Sequence, residues 1–211
     1  MKKLLKYILA MTSVIIIQTV YAADNTETRT IDIVIETDKG DIALELYPQL
    51  APITVENFIE NIRAGLYEGG RFYRASRPDN NLNAKRAILT IIQGGKNEQA
   101  TERPAIPHET TEQTGISHLD GVISMARLDP GTATSEFFIS IGDNSGLDFG
   151  SDRYETGKRQ GYTTFGRVTR GMDVVVKIQQ LPTGNKSKGE DDWFGQQLIN
   201  DTVIIKHIVI K

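Results

Sequence analysis

The chain has 211 residues, a formal net charge of -3 with its Lys and Arg scattered along the length, and no cysteine. The absence of a basic face argues against nucleic acid as a partner, and the absence of cysteine excludes a disulfide framework or a lipid-anchored cysteine. Stability has to come from packing, and a chain of this size is expected to form one domain that buries roughly 70% of its unfolded surface.

In chain order, residues 1–22 read as a secretory signal. Lys2, Lys3 and Lys6 form a positive start, residues 7–17 are mostly apolar, and Val20 and Ala22 suit cleavage after Ala22. The apolar run is shorter than the roughly 17 residues that span a bilayer. The expectation is therefore a periplasmic or secreted protein, not attached to a membrane once the signal is cleaved. Residues 23–30 are a polar, flexible lead-in, and the folded domain takes up 31–211. Apolar residues alternate over 31–37 and 41–47 around Asp38, Lys39 and Gly40, which predicts a hairpin with a glycine bulge. After Pro48 and Pro52, Val55, Phe58, Ile59 and Ile62 recur at helical spacing, giving a helix that ends near Gly65. A second helix starts around Met172, carries Val175, Ile178 and Gln179 on one face, and stops before Pro182.

Short apolar runs at 87–93, 121–126, 137–141 and 163–168 read as strands separated by turns, and 203–210 closes the chain as another. The two most strand-like segments lie at opposite ends of the chain. Pairing them would close the sheet and remove the edges that both termini otherwise expose. The expected fold is mainly β: a closed antiparallel barrel with two helices. The polar stretch 183–192 reads as a solvated loop.

Several chemistries are set aside on the residues. His108, His118 and His207 lack the close pairing of a zinc site and read as surface or edge-strand residues. Residues 143–148 resemble a calcium loop only superficially, because Ser145 stands where Asp or Asn is needed and Tyr154 where the terminal glutamate belongs. Residues 142–146 miss the spacing of a nucleophile elbow. No metal or cofactor is implied.

What remains is an ordered set of short motifs: Phe72, Tyr73 and Arg74; Gln93, Gly94 and Gly95; Gly-Val-Ile-Ser-Met-Ala at 121–126; Ser-Glu-Phe-Phe-Ile at 135–139; and Phe-Gly-Arg-Val at 165–168 followed by Gly171 and Met172. In this order the chain resembles the cyclophilin family of peptidyl-prolyl cis-trans isomerases, with the signal and the 125–127 and 161–162 variants most similar to bacterial periplasmic members. The resemblance implies an eight-stranded barrel capped by two helices and a cofactor-independent rotamase acting on proline-containing polypeptides, with unfolded or exported proteins as the expected clients of a monomeric enzyme. It assigns Arg74 as the catalytic donor, with Gln93 orienting it. Ile91, Phe138 and Leu147 would form the slot for the proline ring. Phe72, Ala126, Arg127, Glu136 and Tyr162 complete the expected substrate-binding set. A non-catalytic module that holds proline-bearing segments is the alternative on the same fold, and a lipocalin-like carrier fits poorly with two helices and glycine-rich connections.

The chain departs from the family pattern at several points. Eighteen residues separate Arg74 from Gln93, more than the family's usual connection, so 77–86 reads as an inserted loop beside the cleft. Thr90 falls where a phenylalanine normally lines the proline pocket, and Glu136 replaces a usual glutamine, where it would pair with Arg74 or Arg127. Gly146 stands where many members carry an aromatic residue, and Tyr162 where some carry histidine. These changes predict weak binding of cyclosporin-type inhibitors in a calorimetric titration, and nanomolar affinity would contradict them.

Overall fold

In the computed structural model, the described residues are 29–80, 89–151, 159–189 and 191–211. The expected signal at 1–22, residues 23–28 of the lead-in, most of the inserted loop and Tyr154 lie outside them.

Alternation at the two ends of the chain does what closure requires. β1 (Ile31–Thr37) pairs on one side with β2 (Gly40–Leu46) and on the other with the last strand, β8 (Leu198–Ile210). The other strands are β3 (Arg71–Ser76), β4 (Ile91–Gly95), β5 (Val122–Met125), β6 (Phe137–Ser140) and β7 (Thr164–Arg170). Together they form a closed antiparallel barrel in the order β1-β2-β7-β5-β6-β4-β3-β8. The first hairpin differs in one detail from its expectation. Residues 31–37 pair with 40–46 in unbroken register around a two-residue turn, and the irregularity falls instead between β1 and β8, at Glu36 and Thr37.

Among the described residues three α-helices accompany the barrel, one more than expected. α1 (Pro52–Arg63) has proline at its start and no side-chain cap from Ala51. The Glu109 carboxylate fills that role, accepting from the Thr54 amide at 2.9 Å and the Thr54 hydroxyl at 2.6 Å, where a negative group also suits the helix dipole. The additional helix, α2 (Thr111–Thr114), is a single turn built on a reciprocal capping box between Thr110 and Gln113. α3 (Met172–Gln179) packs against β2, β3 and β4. The carbonyls of Gln179 at its end and of Leu181 just beyond it accept from the Arg77 guanidinium at 2.6 and 3.2 Å, which anchors the chain where it leaves β3.

The interior is aromatic and aliphatic. Phe58 of α1 meets Tyr67, Phe137 and Phe165 with ring centroids 5.1 to 5.5 Å apart, and Phe72 packs edge-on against Phe137 at 5.7 Å. Ile33, Ile35, Ile42, Leu44, Val175, Val203 and Ile205 complete the same core. A second, smaller apolar cluster of Ile91, Phe138 and Leu147 lies apart from it, with Leu89, Ala126 and Tyr162 packed against it. Among the described residues, no helix is long and apolar enough to cross a membrane.

Candidate active site

A bulge in β3 decides which side chains face outward. Opposite β4, Phe72 pairs with Gly94 and Arg74 with Gln93, so two residues of β3 are set against one step of β4. In an unbroken strand Phe72 and Arg74 would share a face, and the extra residue reverses the second of them. Phe72 therefore points into the core at 0% exposure. This corrects its expected place in the substrate-binding set: its ring contacts Phe137 inside the barrel, and Tyr73, the extra residue, lines the cleft instead.

From Arg74 a single row of paired residues crosses the sheet. Leu198 of β8, Arg74 of β3, Gln93 of β4, Phe138 of β6 and Ser124 of β5 are successive partners, and directly paired residues project on one face. The row's three central members, Arg74, Gln93 and Phe138, lie in a cleft of about 920 Å³ that is also lined by Ile91, Ala126, Arg127, Glu136, Leu147 and Tyr162, all expected from the sequence. Phe137 and Phe138 divide as alternation requires, one inside the barrel and the other in the cleft.

Arg74 is only 8% exposed. Burying a cation is costly unless its donors are satisfied. Its Nη1 donates to Gln93 Oε1 at 2.8 Å, while Nε and Nη2 both donate to Gln197 Oε1 at 2.9 and 2.7 Å. The guanidinium carbon also lies 5.5 Å from the Trp193 ring centre and 5.2 Å from that of Phe194, within range for attraction to an aromatic face. Trp193, Phe194 and Gln197 were not legible as site residues. They follow the polar 183–192 stretch, whose described part is folded by its own bonds: Asp192 accepts from the Lys188 and Gly195 amides, each at 2.9 Å. Gln197 arrives because Arg74 is paired with its neighbour Leu198.

The Gln93 amide is itself held. Its Nε2 donates to the Tyr73 hydroxyl at 2.6 Å, and that hydroxyl donates to Glu136 Oε2 at 2.7 Å. Glu136 thus meets Tyr73, rather than the expected Arg74 or Arg127, and reaches Arg74 only through two intermediates. A Cβ at Gly95 would come within 2.0 Å of a Glu136 carboxylate oxygen, and one at Gly94 within 2.7 Å of the Arg71 carbonyl, which accounts for the paired glycines after Gln93. Thr134, Ser135 and the backbone leading to Glu136 are fixed from below: the Asn57 amide donates to the Thr134 carbonyl at 2.7 Å and the Tyr67 hydroxyl to the Ser135 carbonyl at 3.0 Å.

The apolar slot has its own supports. The Phe138 ring meets Tyr162 edge-on at 5.6 Å and stacks on the His118 imidazole at 5.7 Å. His118 is fully buried, which corrects its reading as a surface or edge residue. Its Nδ1 lies 2.6 Å from Asp148 Oδ1 and its Nε2 3.0 Å from the Ser124 hydroxyl. Burial lowers the His118 pKa, with the Asp148 bond and charge opposing. The Arg127 guanidinium lies 4.6 Å over the Tyr162 ring and donates to the Gly161 carbonyl, so it props that ring in place. Thr90 turns away to bond the Ile141 carbonyl and Asn144, and Leu89 takes the cleft side.

The family model described as "Cyclophilin type peptidyl-prolyl cis-trans isomerase/CLD" matches residues 31–207. Peptidyl-prolyl cis-trans isomerase A of Dickeya dadantii is 32% identical over 185 residues, covering 85% of this chain and 87% of the relative. Peptidyl-prolyl cis-trans isomerase B of Escherichia coli is 33% identical over 178 residues, covering 83% and 96%. A crystal structure of a Cryptosporidium parvum cyclophilin-type isomerase superposes with a TM-score of 0.65 at 22% identity, covering 87% of this chain and 98% of that one.

The Glu136 environment generates a stability test. Burial raises its pKa from 4.5 to about 6, the Tyr73 bond opposing. The folded state therefore holds a proton that the unfolded state has lost, and stability falls as pH rises from about 4.5 to about 6, then levels off. Glu136→Gln removes that cost. In thermal or urea melts the variant is expected to be more stable than the parent by about 2 kcal/mol above pH 6, with the gain vanishing below pH 4.5. A difference independent of pH would contradict this.

Proposed function

Because the chain belongs to the cyclophilin-type peptidyl-prolyl cis-trans isomerase family, we propose that it accelerates rotation about the bond before proline in exported or folding polypeptides, with Arg74 as the catalytic donor. A peptide bond resists rotation by about 18 to 20 kcal/mol because the nitrogen lone pair is shared with the carbonyl. Each 1.36 kcal/mol removed is a tenfold gain in rate. Twisting the bond returns the lone pair to nitrogen, which then accepts a hydrogen bond that the planar ground state cannot. A donor fixed at that point stabilises the transition state alone.

The observation that carries this reading is the Arg74 guanidinium, nearly buried and held by Gln93 and Gln197 beside the Ile91, Phe138 and Leu147 cluster. The proline ring enters that cluster, and the twisted bond lies over the guanidinium. The planar amide is more dipolar than the twisted one, so a water-poor slot favours rotation further. Ala126 and Arg127 offer main-chain groups to an extended substrate, a mode with little demand on sequence. No bond is broken and no group or electron moves, so the reaction draws on no cofactor. In this reading residues 1–22 are a cleaved export signal, and the working enzyme is a monomer of 31–211 with its short lead-in, acting in the periplasm or outside the cell. Its partners are then newly exported or unfolded chains.

Proline-limited refolding of a substrate protein tests the assignment. Arg74→Ala is expected to reduce the acceleration by about 10²-fold or more, as loss of a transition-state donor does elsewhere, while circular dichroism reports an intact barrel. Equal acceleration by the variant would contradict the role of Arg74, and peptide binding without any acceleration by the parent chain would select a binding module instead.

A further inference from the structure

Four side chains form one continuous run of hydrogen bonds along the cleft wall: Glu136, Tyr73, Gln93 and Arg74, with Gln197 accepting from the far side of Arg74. The run has a direction. Arg74 donates to the Gln93 carbonyl, the Gln93 amide donates to Tyr73, and the Tyr73 hydroxyl donates to Glu136. Each intermediate accepts on one side and donates on the other, so the orientation at one end dictates the orientation at the other. A guanidinium and an ionised carboxylate are the only groups here that are donor-only and acceptor-only, and they stand at opposite ends of this path.

We propose that Glu136 is a positioning residue for Arg74, acting through Tyr73 and Gln93, and that its ionised form makes turnover depend on pH. The proposal rests on Arg74 being the catalytic donor. When Glu136 is ionised it can only accept, which fixes the Tyr73 proton toward it and leaves the phenol oxygen to accept from Gln93. The Gln93 carbonyl is then turned to Arg74. When Glu136 takes up a proton, its carboxyl keeps one acceptor oxygen but can also donate to the same phenol oxygen, so it no longer dictates the direction of the Tyr73 proton. Where the carboxyl donates, the Tyr73 proton turns to the Gln93 side and the amide flips to accept it. The flipped amide presents NH2 to the guanidinium, donor against donor, and Arg74 loses the contact that aims it.

The surroundings of Glu136 set where this change falls. It stands in the wall shared by the cleft and a neighbouring cavity of about 370 Å³, with Arg71, Lys96, Lys186 and Glu98 facing it from the neighbouring side. Arg74, Arg127 and Glu102 face it from the cleft. Its pKa is about 6: burial and Glu102 raise it, Tyr73 and Lys96 lower it. His108 lines neither cavity, and His118 lies behind Phe138.

The test follows kcat and KM for a proline peptide without titratable groups, from about pH 8 to about pH 5, in the parent chain, Glu136→Gln, Tyr73→Phe and Arg74→Ala. The expected parent profile falls roughly tenfold in kcat from pH 7.5 to 5, with KM little changed, because one unit below the titration point about a tenth of the carboxylate remains ionised. Glu136→Gln does not titrate and, like the protonated carboxyl, can donate as well as accept, so its kcat stays near the parent's low-pH value and the ratio at the two pH values is near one. Tyr73→Phe cuts the path, and its lower kcat is also independent of pH. In the unaltered protein, NMR signals of the Glu136 carboxyl and the Arg74 guanidinium are expected to titrate together, a readout that needs no variant to fold. A parent profile without the step, a Glu136→Gln profile that keeps it, or independent titration of the two signals would overturn the proposal, even with Arg74→Ala inactive. Full activity of Arg74→Ala would instead remove the assignment beneath it.

Discussion

A guanidinium withdrawn from water is the constraint around which the site is organised. Arg74 is nearly buried, and a cation there persists only where its donors meet acceptors in good geometry. Two glutamine carbonyls supply three of those bonds, and two aromatic rings lie against the same group. Neutral acceptors hold the cation in place without neutralising it, which leaves its charge available to a substrate. A salt-bridging carboxylate in the place of either glutamine would offset that charge more fully. The glutamines are as much a feature of the site as the arginine.

The fold serves this arrangement through one irregularity. The bulge at Tyr73 separates Phe72, which belongs to the aromatic core, from Arg74, which belongs to the cleft. The same step shifts the pairing with β8, where Phe72 meets Val203 but Arg74 meets Leu198. The loop that folds over the arginine therefore ends next to it. Closure of the barrel, the bulge and the aromatic pair are three consequences of how β3 is paired on its two sides.

The barrel was largely legible in the sequence because its strongest signals are periodic. Alternation at 31–37 and 203–210 and helical spacing over 55–62 each depend on burying one face, and burial is what the structure does with them. Phe138 lies within an ordered motif, whereas Ile91 and Leu147 were expected only through the family resemblance; the three meet in one apolar cluster. Tyr73 was not legible, because a bulge leaves no trace in an apolar pattern and alternation alone puts Phe72 and Arg74 on one face. Trp193, Phe194 and Gln197 were hidden behind a stretch rich in Lys, Asp and Gly, whose composition reads as solvated although Asp192 gives it a fixed turn. His118 has no local pattern, since its burial is set by Phe138, Ser124 and Asp148 from other elements. The Thr110 and Gln113 pair is a readable helix start, but a single turn carries too little periodicity to accompany it. Apart from these short local turns, what sequence reasoning missed comes from residues whose neighbours are distant along the chain.

The most direct measurement compares the parent chain with Arg74→Lys by exchange NMR of a proline peptide at equilibrium, recording both the cis-trans exchange rate and the affinity. Lysine keeps the positive charge but cannot span Gln93 and Gln197 as a planar fork. If the donor engages nitrogen only in the twisted state, the exchange rate collapses while affinity for the planar peptide changes little. A fall in affinity that matches the fall in rate would show that Arg74 grips the ground state equally, and would contradict this picture of the site.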